Sequence, residues 1–299
     1  MNIEINSLRK HVAESDEYLL VAMKNEQLLG EGKEKATIQL ERQERYRNKS
    51  LHGRFFKATD DVRGEKTWEW LRKSGIKKET EGLLMAAQEQ AIRTKYIRKV
   101  IDKEGIDSKC RMCVERDETV AHILAECKML AQCQYKNWRH DKVAQALHWE
   151  ICKKYGLPAS EKWYDHRIET VMENEEVTVM WDMKIQTDKE IEHCRPDIVI
   201  RCNKCRKCYI VDVACPFDTR VQDKEREKVE KYQDLKRELK RIWQSQEIVI
   251  IPIIIGTLGT VSKNVEHWLR KLDIMVNFST LQKACLLGSA RVIRKVLDT

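Results

Sequence analysis

The pattern of apolar and polar positions changes near the middle of the chain. Up to about residue 155, apolar residues recur at the three- and four-residue intervals of helices. Beyond residue 176, runs rich in Val and Ile are bounded by short polar breaks, as in strands. In the first half, Glu34–Lys49 interleaves Glu with Lys and Arg and predicts a surface helix. Leu51–Arg54 and Phe55–Gly64 read as loop and short turns, and Thr67–Leu71 (TWEWL) supplies two tryptophans suited to a core. Lys78–Lys103 predicts one long helix, with Leu83, Leu84, Ala87, Ala91, Tyr96, Val100 and Ile101 near one stripe. Met129–Tyr155 predicts more helix, and Pro158 marks a boundary.

In the second half, Val177–Ile185 alternates well enough for a first strand, with Asp182 on it. Ile198–Ile200 and Tyr209–Ala214 flank the polar segment Asn203–Lys207 and predict a β-hairpin. Arg220–Gln244 predicts a helix whose apolar face holds Val229, Tyr232, Leu235, Leu239, Ile242 and Trp243. Glu247–Gly256 (EIVIIPIIIG) predicts a buried strand; Pro252 cannot donate to a ladder, which implies an edge or a bulge. Helices over about 262–272 and 281–297 complete the chain. The expected fold class is α+β or α/β: an α-helical first half, then a mixed sheet flanked by helices. The expected organisation is a helical region over 1–104, a metal-binding segment with its following helices over 105–157, an α/β domain over 158–275 and a C-terminal helix over 276–299.

Composition narrows this picture. The 299 residues suggest about two domains, and 35% charged residues with only 11 Gly and 4 Pro describe a helix-rich chain. The longest apolar run, Ile248–Ile255, is far short of the roughly 20 residues that span a bilayer, so no membrane partner is expected. Met1–Lys10 has no apolar core of signal-peptide length, which implies an intracellular, nuclear or cytoplasmic protein. In that setting 11 cysteines favour metal binding over disulfides. The net charge of +8 divides into +5 over residues 1–100, +1 over 101–160 and +2 over 161–299, so no segment carries a decisive basic footprint.

Two constellations carry candidate chemistry. The first is Cys110-x₂-Cys113-x₈-His122-x₄-Cys127, a Cys₃His set suited to tetrahedral Zn²⁺, closed and therefore structural. Cys133 or His140 could replace one of these ligands. The second lies in the hairpin. If its turn centres on Lys204–Cys205, cross-strand partners have residue numbers summing to 409, and Asp197 faces Asp212 on one side of the sheet. Like charges so placed destabilise a sheet unless a hard cation sits between them, and Mg²⁺ takes one or two carboxylates with water and phosphate oxygens. The alternative is an exposed pair at a hairpin end. On the wheel of the following helix Lys228 and Glu225 fall within the apolar face and Lys231 at its edge; such breaks in pattern are expected at functional sites. Lys228 could aim at the carboxylates, or snorkel, or pair with Glu225. Cys202, Cys205 and Cys208 with Cys194 offer a second zinc cluster, although Cys202 and Cys208 fall on strand ends and would point into the sheet as small hydrophobes.

These residues carry a family resemblance. Pro196-Asp197, fourteen residues and then Asp212 resembles the PD-(D/E)xK pattern of restriction-type nucleases, most of all the restriction-like endonuclease at the C-terminus of site-specific non-LTR retrotransposon polyproteins. LHGRF, TWEWLR, ETEGLLMAAQEQAIRT and YIRKVID resemble the segment between polymerase and zinc motif in those proteins, Cys110–Cys127 their zinc knuckle, and Trp163–Met172 the lead-in to the nuclease. Ala214 departs from the general pattern, standing where a lysine is expected; in the retrotransposon branch that lysine has moved to the following helix, where Lys228, Lys231 and Tyr232 match a Lys-x-x-Lys-Tyr stretch. An upstream acid often completes such sites, for which Asp182 is the better candidate and Asp188 the alternative. The resemblance implies a Mg²⁺-dependent endonuclease that nicks a target site in DNA to prime reverse transcription, with the element's RNA as a further partner and no small-molecule substrate. No Tyr-x-Asp-Asp polymerase signature is present. Two other classes stay open: a catalytically silent nucleic-acid-binding relic and a zinc-stapled interaction scaffold.

Overall fold

The computed structural model describes residues 33–59, 64–274 and 276–298; the helical pattern expected before residue 33 lies outside them. The architecture is mixed α and β, a five-stranded sheet flanked by helices. Its strands are β1 (Val171–Glu173), β2 (Val177–Trp181), β3 (Ile198–Cys202), β4 (Lys207–Ala214) and β5 (Glu247–Ile254), which lie in sequence order across the sheet. β1 to β4 form antiparallel neighbours, and β5 joins β4 in parallel. Pro252 accordingly sits on an edge strand, where its missing donor costs no ladder bond.

The helices used below are α1 (Lys33–Arg47), α2 (Lys78–Gln88), α3 (Lys95–Val100), α4 (Asp141–Lys154), α5 (Val221–Lys231), α6 (Gln233–Ile242), α7 (Val265–Leu272) and α8 (Phe278–Leu297). Strand alternation divides the sheet into two buried faces. Ile198, Ile200, Tyr209, Val211, Val213, Ile251 and Ile253 pack with Val143, Leu147 and Ile151 of α4, Val265 and Leu272 of α7, and Phe278 and Leu281 of α8. The other face, with Val199, Cys208, Ile210, Ile248 and Ile250, packs on Tyr232, Leu235 and Leu239. Burial on both sides explains why β4 and β5 read as nearly continuous apolar runs.

A second core gathers the N-terminal helices around Trp70, Leu84 and Ile92, together with Cys110, Leu124, Cys127 and Leu130. The two cores are joined by α8. Its residues through Cys285 belong to the sheet core, whereas Leu286, Ala290, Ile293 and Val296 belong to the second. Gly288 marks the point of closest approach. A Cβ there would lie 2.8 Å from Arg139 Cα and clash with the Trp138 carbonyl oxygen, both backbone atoms. Gly288→Ala is therefore expected to destabilise the protein by about 1–3 kcal/mol, measured as a lowered denaturation midpoint, although alanine is the better helix former.

Several expected elements are divided or shortened. The single helix over Lys78–Lys103 is two: Gln90 adopts φ 56°, α2 stops, and Thr94 caps α3 by accepting from the Ile97 N–H at 3.3 Å. The helix over Arg220–Gln244 is likewise divided at Tyr232, whose φ −103° and ψ 13° leave the helical region between α5 and α6. The strand expected over Val177–Ile185 ends at Trp181 because Asp182 takes φ 43°, a left-handed conformation that aspartate tolerates. It is also preceded by β1, paired to it through a turn in which Asn174 Oδ1 accepts from the N–H groups of Glu176 and Val177, each at 3.0 Å.

Candidate metal centre and carboxylate site

The Cys110–Cys127 segment folds back on itself through a short antiparallel bridge, Lys109 to Asp117. Cys110 N–H donates to Arg116 O and Val114 N–H to Cys110 O, each at 2.8 Å. The turn forces Val114 to φ 59°, costly for a β-branched residue and sustained only where the surroundings over-determine it. Beneath it the buried Glu118 accepts from the backbone N–H of Lys95 (2.9 Å) and Arg111 (3.0 Å) and from the Arg111 guanidinium at 2.9 Å. Burial raises the Glu118 pKa, but these hydrogen bonds outweigh it and hold the carboxyl below its usual range. Tyr135 braces the opposite side: its hydroxyl accepts from Cys127 N–H at 3.2 Å and donates to Ile123 O at 2.6 Å.

This frame brings the Cys110, Cys113 and Cys127 sulfurs and one His122 nitrogen within 4.8 Å of one another. His122 Nε2 stands 3.3 Å from Cys113 Sγ, close to the ligand edge of a tetrahedral zinc site, which bond lengths of about 2.3 Å to sulfur and 2.0–2.1 Å to nitrogen put near 3.5 Å. Burial raises the Cys127 thiol to about 12, and the other two thiols add to the shift. Burial also lowers His122, keeping the imidazole neutral and ready to donate a lone pair. Three crowded thiols and a neutral imidazole are a poor cluster without a cation and a good ligand set with one, so the group can coordinate an ion such as Zn²⁺. Cys133 is exposed outside the set. His140 is not at the cluster at all; it reaches the hairpin.

The hairpin pairs in the register summing to 409, from Ile198 opposite Val211 to Cys202 opposite Lys207. Asp197 therefore stands one residue before the first rung, beside Asp212. Asp212 is 2% exposed; Tyr232 Oη donates to its Oδ1 at 2.5 Å, and its buried Oδ2 meets the Lys228 ammonium as an ion pair without an aligned hydrogen bond. Burial raises the Tyr232 phenol and Asp212 raises it further, so it stays a neutral donor. Lys228 is not paired with Glu225, which instead accepts from Ser262 Oγ and, at 2.7 Å, Asn264 Nδ2. Lys231 Nζ donates to Tyr232 Oη at 2.9 Å, and burial lowers its pKa against the pull of Asp212.

Asp197 Oδ2 accepts from Val213 N–H at 2.6 Å and lies 3.2 Å from His140 Nε2. Burial raises Asp197, but His140, the Val213 N–H and the Lys228 charge together bring it below its ordinary value. Burial pulls His140 down, yet Asp141 and Asp197 outweigh it and raise the imidazole to about 10. Each aspartate thus has a cationic partner, Lys228 for Asp212 and His140 for Asp197. Asp182 N–H donates to Asp197 O at 2.8 Å, but its carboxylate is held by the fork of Arg195, Nε to Oδ1 at 2.9 Å and Nη2 to Oδ2 at 3.1 Å. Asp188 pairs with Arg241.

The His140 contact was not legible in the sequence: His140 lies 57 positions before Asp197, and no local pattern links them. Tyr232 stands on the apolar face and in the Lys-x-x-Lys-Tyr stretch of the resemblance, but its hydrogen bond to Asp212 was not anticipated. A buried acid with a different role is Asp218: it accepts from the Leu258 N–H at 2.9 Å, the Thr257 hydroxyl at 2.9 Å and the Thr260 hydroxyl at 2.8 Å, fixing the loop after β5. At the hairpin tip, Cys202 and Cys205 are paired as a disulfide, contrary to the expected placement of the Cys202 side chain inside the sheet. The two lie three residues apart across the tight turn, which brings their sulfurs together. Cys208 and Cys194 are buried under α6, so the four cysteines do not form a metal cluster among the described residues. No helix among the described residues is long and apolar enough to cross a membrane. Comparison with protein-family models and with curated proteins gives no match.

Proposed function

We propose that the chain is a Mg²⁺-dependent DNA endonuclease of the PD-(D/E)xK type, the nicking module of a non-LTR retrotransposon protein, with a structural Zn²⁺ knuckle that helps to position nucleic acid. The observation that carries the reading is the meeting of Asp212 with Lys228, a lysine delivered from the helix after the strand although Ala214 occupies the usual lysine position. The reading is supported by a buried Asp212 oxygen that has no aligned hydrogen bond and meets the Lys228 ammonium, with Asp197 beside it; a hard cation bound there would draw Lys228 off that oxygen. Asp197 and Asp212 would hold the ion, which when bound polarises the phosphate and lowers the pKa of a water. Lys228 would orient that water or offset phosphate charge, and Tyr232 and His140 keep the two carboxylates in place. A hollow of about 930 Å³ opens beside Lys231, lined in part by Lys184, Lys189, His193 and Arg195, where a phosphate backbone could approach; Glu190 and Glu192 also face it.

The test is conversion of supercoiled plasmid to open circle by the purified chain with Mg²⁺. Lys228→Ala is expected to slow nicking by about 10²-fold or more, and Lys231→Ala by less, since only Lys228 touches a carboxylate. Equal losses would remove the special role of Lys228. The pairing of both aspartates with protein cations favours a second reading, a nucleic-acid-binding relic in which those pairs have replaced the metal. That reading wins if the chain binds DNA with a steep salt dependence yet never nicks it under Mg²⁺ or Mn²⁺.

A further inference from the structure

We propose that His148, Cys152 and His166 form a second metal site, separate from the Cys110–Cys127 set, which binds one thiophilic d¹⁰ ion, Zn²⁺ or Cu⁺, inside the sheet core. The three side chains are 0%, 0% and 4% exposed, and their ligand atoms lie within 4.8 Å of one another. His148 and Cys152 are four residues apart on α4, one turn above the other on a single face. His166 arrives from the turn after Trp163–Asp165, whose position is fixed from α4 by two hydrogen bonds: Gln145 Nε2 donates to His166 O at 2.8 Å and Trp149 Nε1 to Ser160 O at 2.7 Å.

The distances suit a metal. His148 Nδ1 lies 3.5 Å from Cys152 Sγ and 2.9 Å from His166 Nε2. Tetrahedral coordination with ordinary zinc bond lengths sets these edges at about 3.5 Å and 3.3 Å, so the sulfur edge already fits and the nitrogen edge needs to open by only a few tenths of an ångström. A fourth direction faces Met172 of β1, whose Sδ is 3.9 Å from Cys152 Sγ. One thiolate, two imidazoles and a thioether are soft and borderline donors, the class that selects Zn²⁺ and Cu⁺ over Mg²⁺. Charge separates the two: one thiolate neutralises Cu⁺ but leaves Zn²⁺ with a surplus that an apolar core disfavours. The neighbours are otherwise apolar, with the Trp181 ring edge-on to His148 at 5.5 Å. Without an ion, two buried imidazoles and a thiol have mainly one another as partners. With one, α4, the 163–166 turn and β1 are held at a single point, stapling the helix that follows His140 to the edge of the sheet. This inference stands apart from the nuclease reading.

Elemental analysis of the full chain, produced with zinc and copper supplied, reads the stoichiometry. Two equivalents per chain are expected, falling to one in Cys152→Ala and in His166→Gln, and to one also in Cys110→Ser, which empties the other site. A parent carrying a single equivalent that Cys110→Ser removes would overturn the proposal, as would Cys152→Ala retaining two. Copper as the second equivalent supports the charge argument, and zinc supports the site with the other ion. If the variants fail to fold, X-ray absorption of the parent still decides. Two zinc sites average about two and a half sulfur and one and a half nitrogen neighbours, a zinc site plus a separate copper edge shows copper bound to nitrogen and sulfur in about equal number, and a lone Cys₃His site gives three sulfurs and one nitrogen.

Discussion

Asp197→Ala and Asp212→Ala are each expected to reduce plasmid nicking by about 10³-fold or more while leaving DNA affinity intact or slightly raised. Phosphodiester cleavage needs a cation on the transferring phosphate and a positioned water, and the two aspartates are the proposed ligands. Affinity should hold because, on the proposed reading, binding would rest on distributed Lys and Arg contacts, and removing a carboxylate removes repulsion from phosphate. Asp212→Ala also strands the Lys228 ammonium and the Tyr232 hydroxyl in a buried site, so its fold must be checked. Asp212→Asn is the cleaner variant, since an amide oxygen still accepts from Tyr232 while the charge is lost. A gel-shift titration beside the nicking assay separates the effects. Loss of affinity parallel to loss of nicking would assign these residues to binding, and an Asp197→Ala protein that cuts like the parent would remove the site.

Removal of Zn²⁺ is expected to produce the largest structural change. The Cys110–Cys127 segment has little apolar material of its own, so a bound metal would supply its folding free energy; in zinc-finger peptides the apparent value is about 10–16 kcal/mol. Chelation, or Cys113→Ser, should abolish hydrogen-exchange protection over 105–140 before the sheet loosens, while α4, whose Val143, Leu147 and Ile151 pack on the sheet, keeps it. The packing extends this to a region distant in sequence. Cys110, Leu124 and Cys127 share a core with Leu286, Ala290 and Ile293, so the second half of α8 should lose protection with the knuckle while Phe278–Cys285 keeps it. Uniform loosening of α8 would contradict this division of the helix, and a zinc content near zero under supplementation would remove the site itself.

The legible and illegible parts of the molecule differ in range. The hairpin register follows from a local apolar pattern around one polar turn, and a one-residue slip would send every core side chain to the wrong face. The Cys110–Cys127 set is likewise local. Lys228 was visible as a charge inside an apolar stripe, because its partner lies on the adjacent strand. The helix ends were less visible, since Gln90 and Tyr232 leave helical geometry without Gly or Pro to announce it. Asp182 ended a strand in the same way. Contacts brought together only by tertiary packing left no trace: His140 on Asp197, and His166 on His148 and Cys152. Cysteine chemistry was ambiguous for a related reason, because spacing alone does not distinguish Cys202 bonded to Cys205 from Cys202 held in a metal cluster.

Anomalous scattering from crystals soaked in Mn²⁺, a stand-in for Mg²⁺, tests the proposed divalent cation between Asp197 and Asp212. An anomalous peak in contact with both carboxylates, absent from Asp212→Asn, is expected, with the Lys228 ammonium drawn off Asp212 by the ion. Saturating Mn²⁺ that leaves no peak there, with the Lys228–Asp212 and His140–Asp197 pairs unchanged, would contradict it.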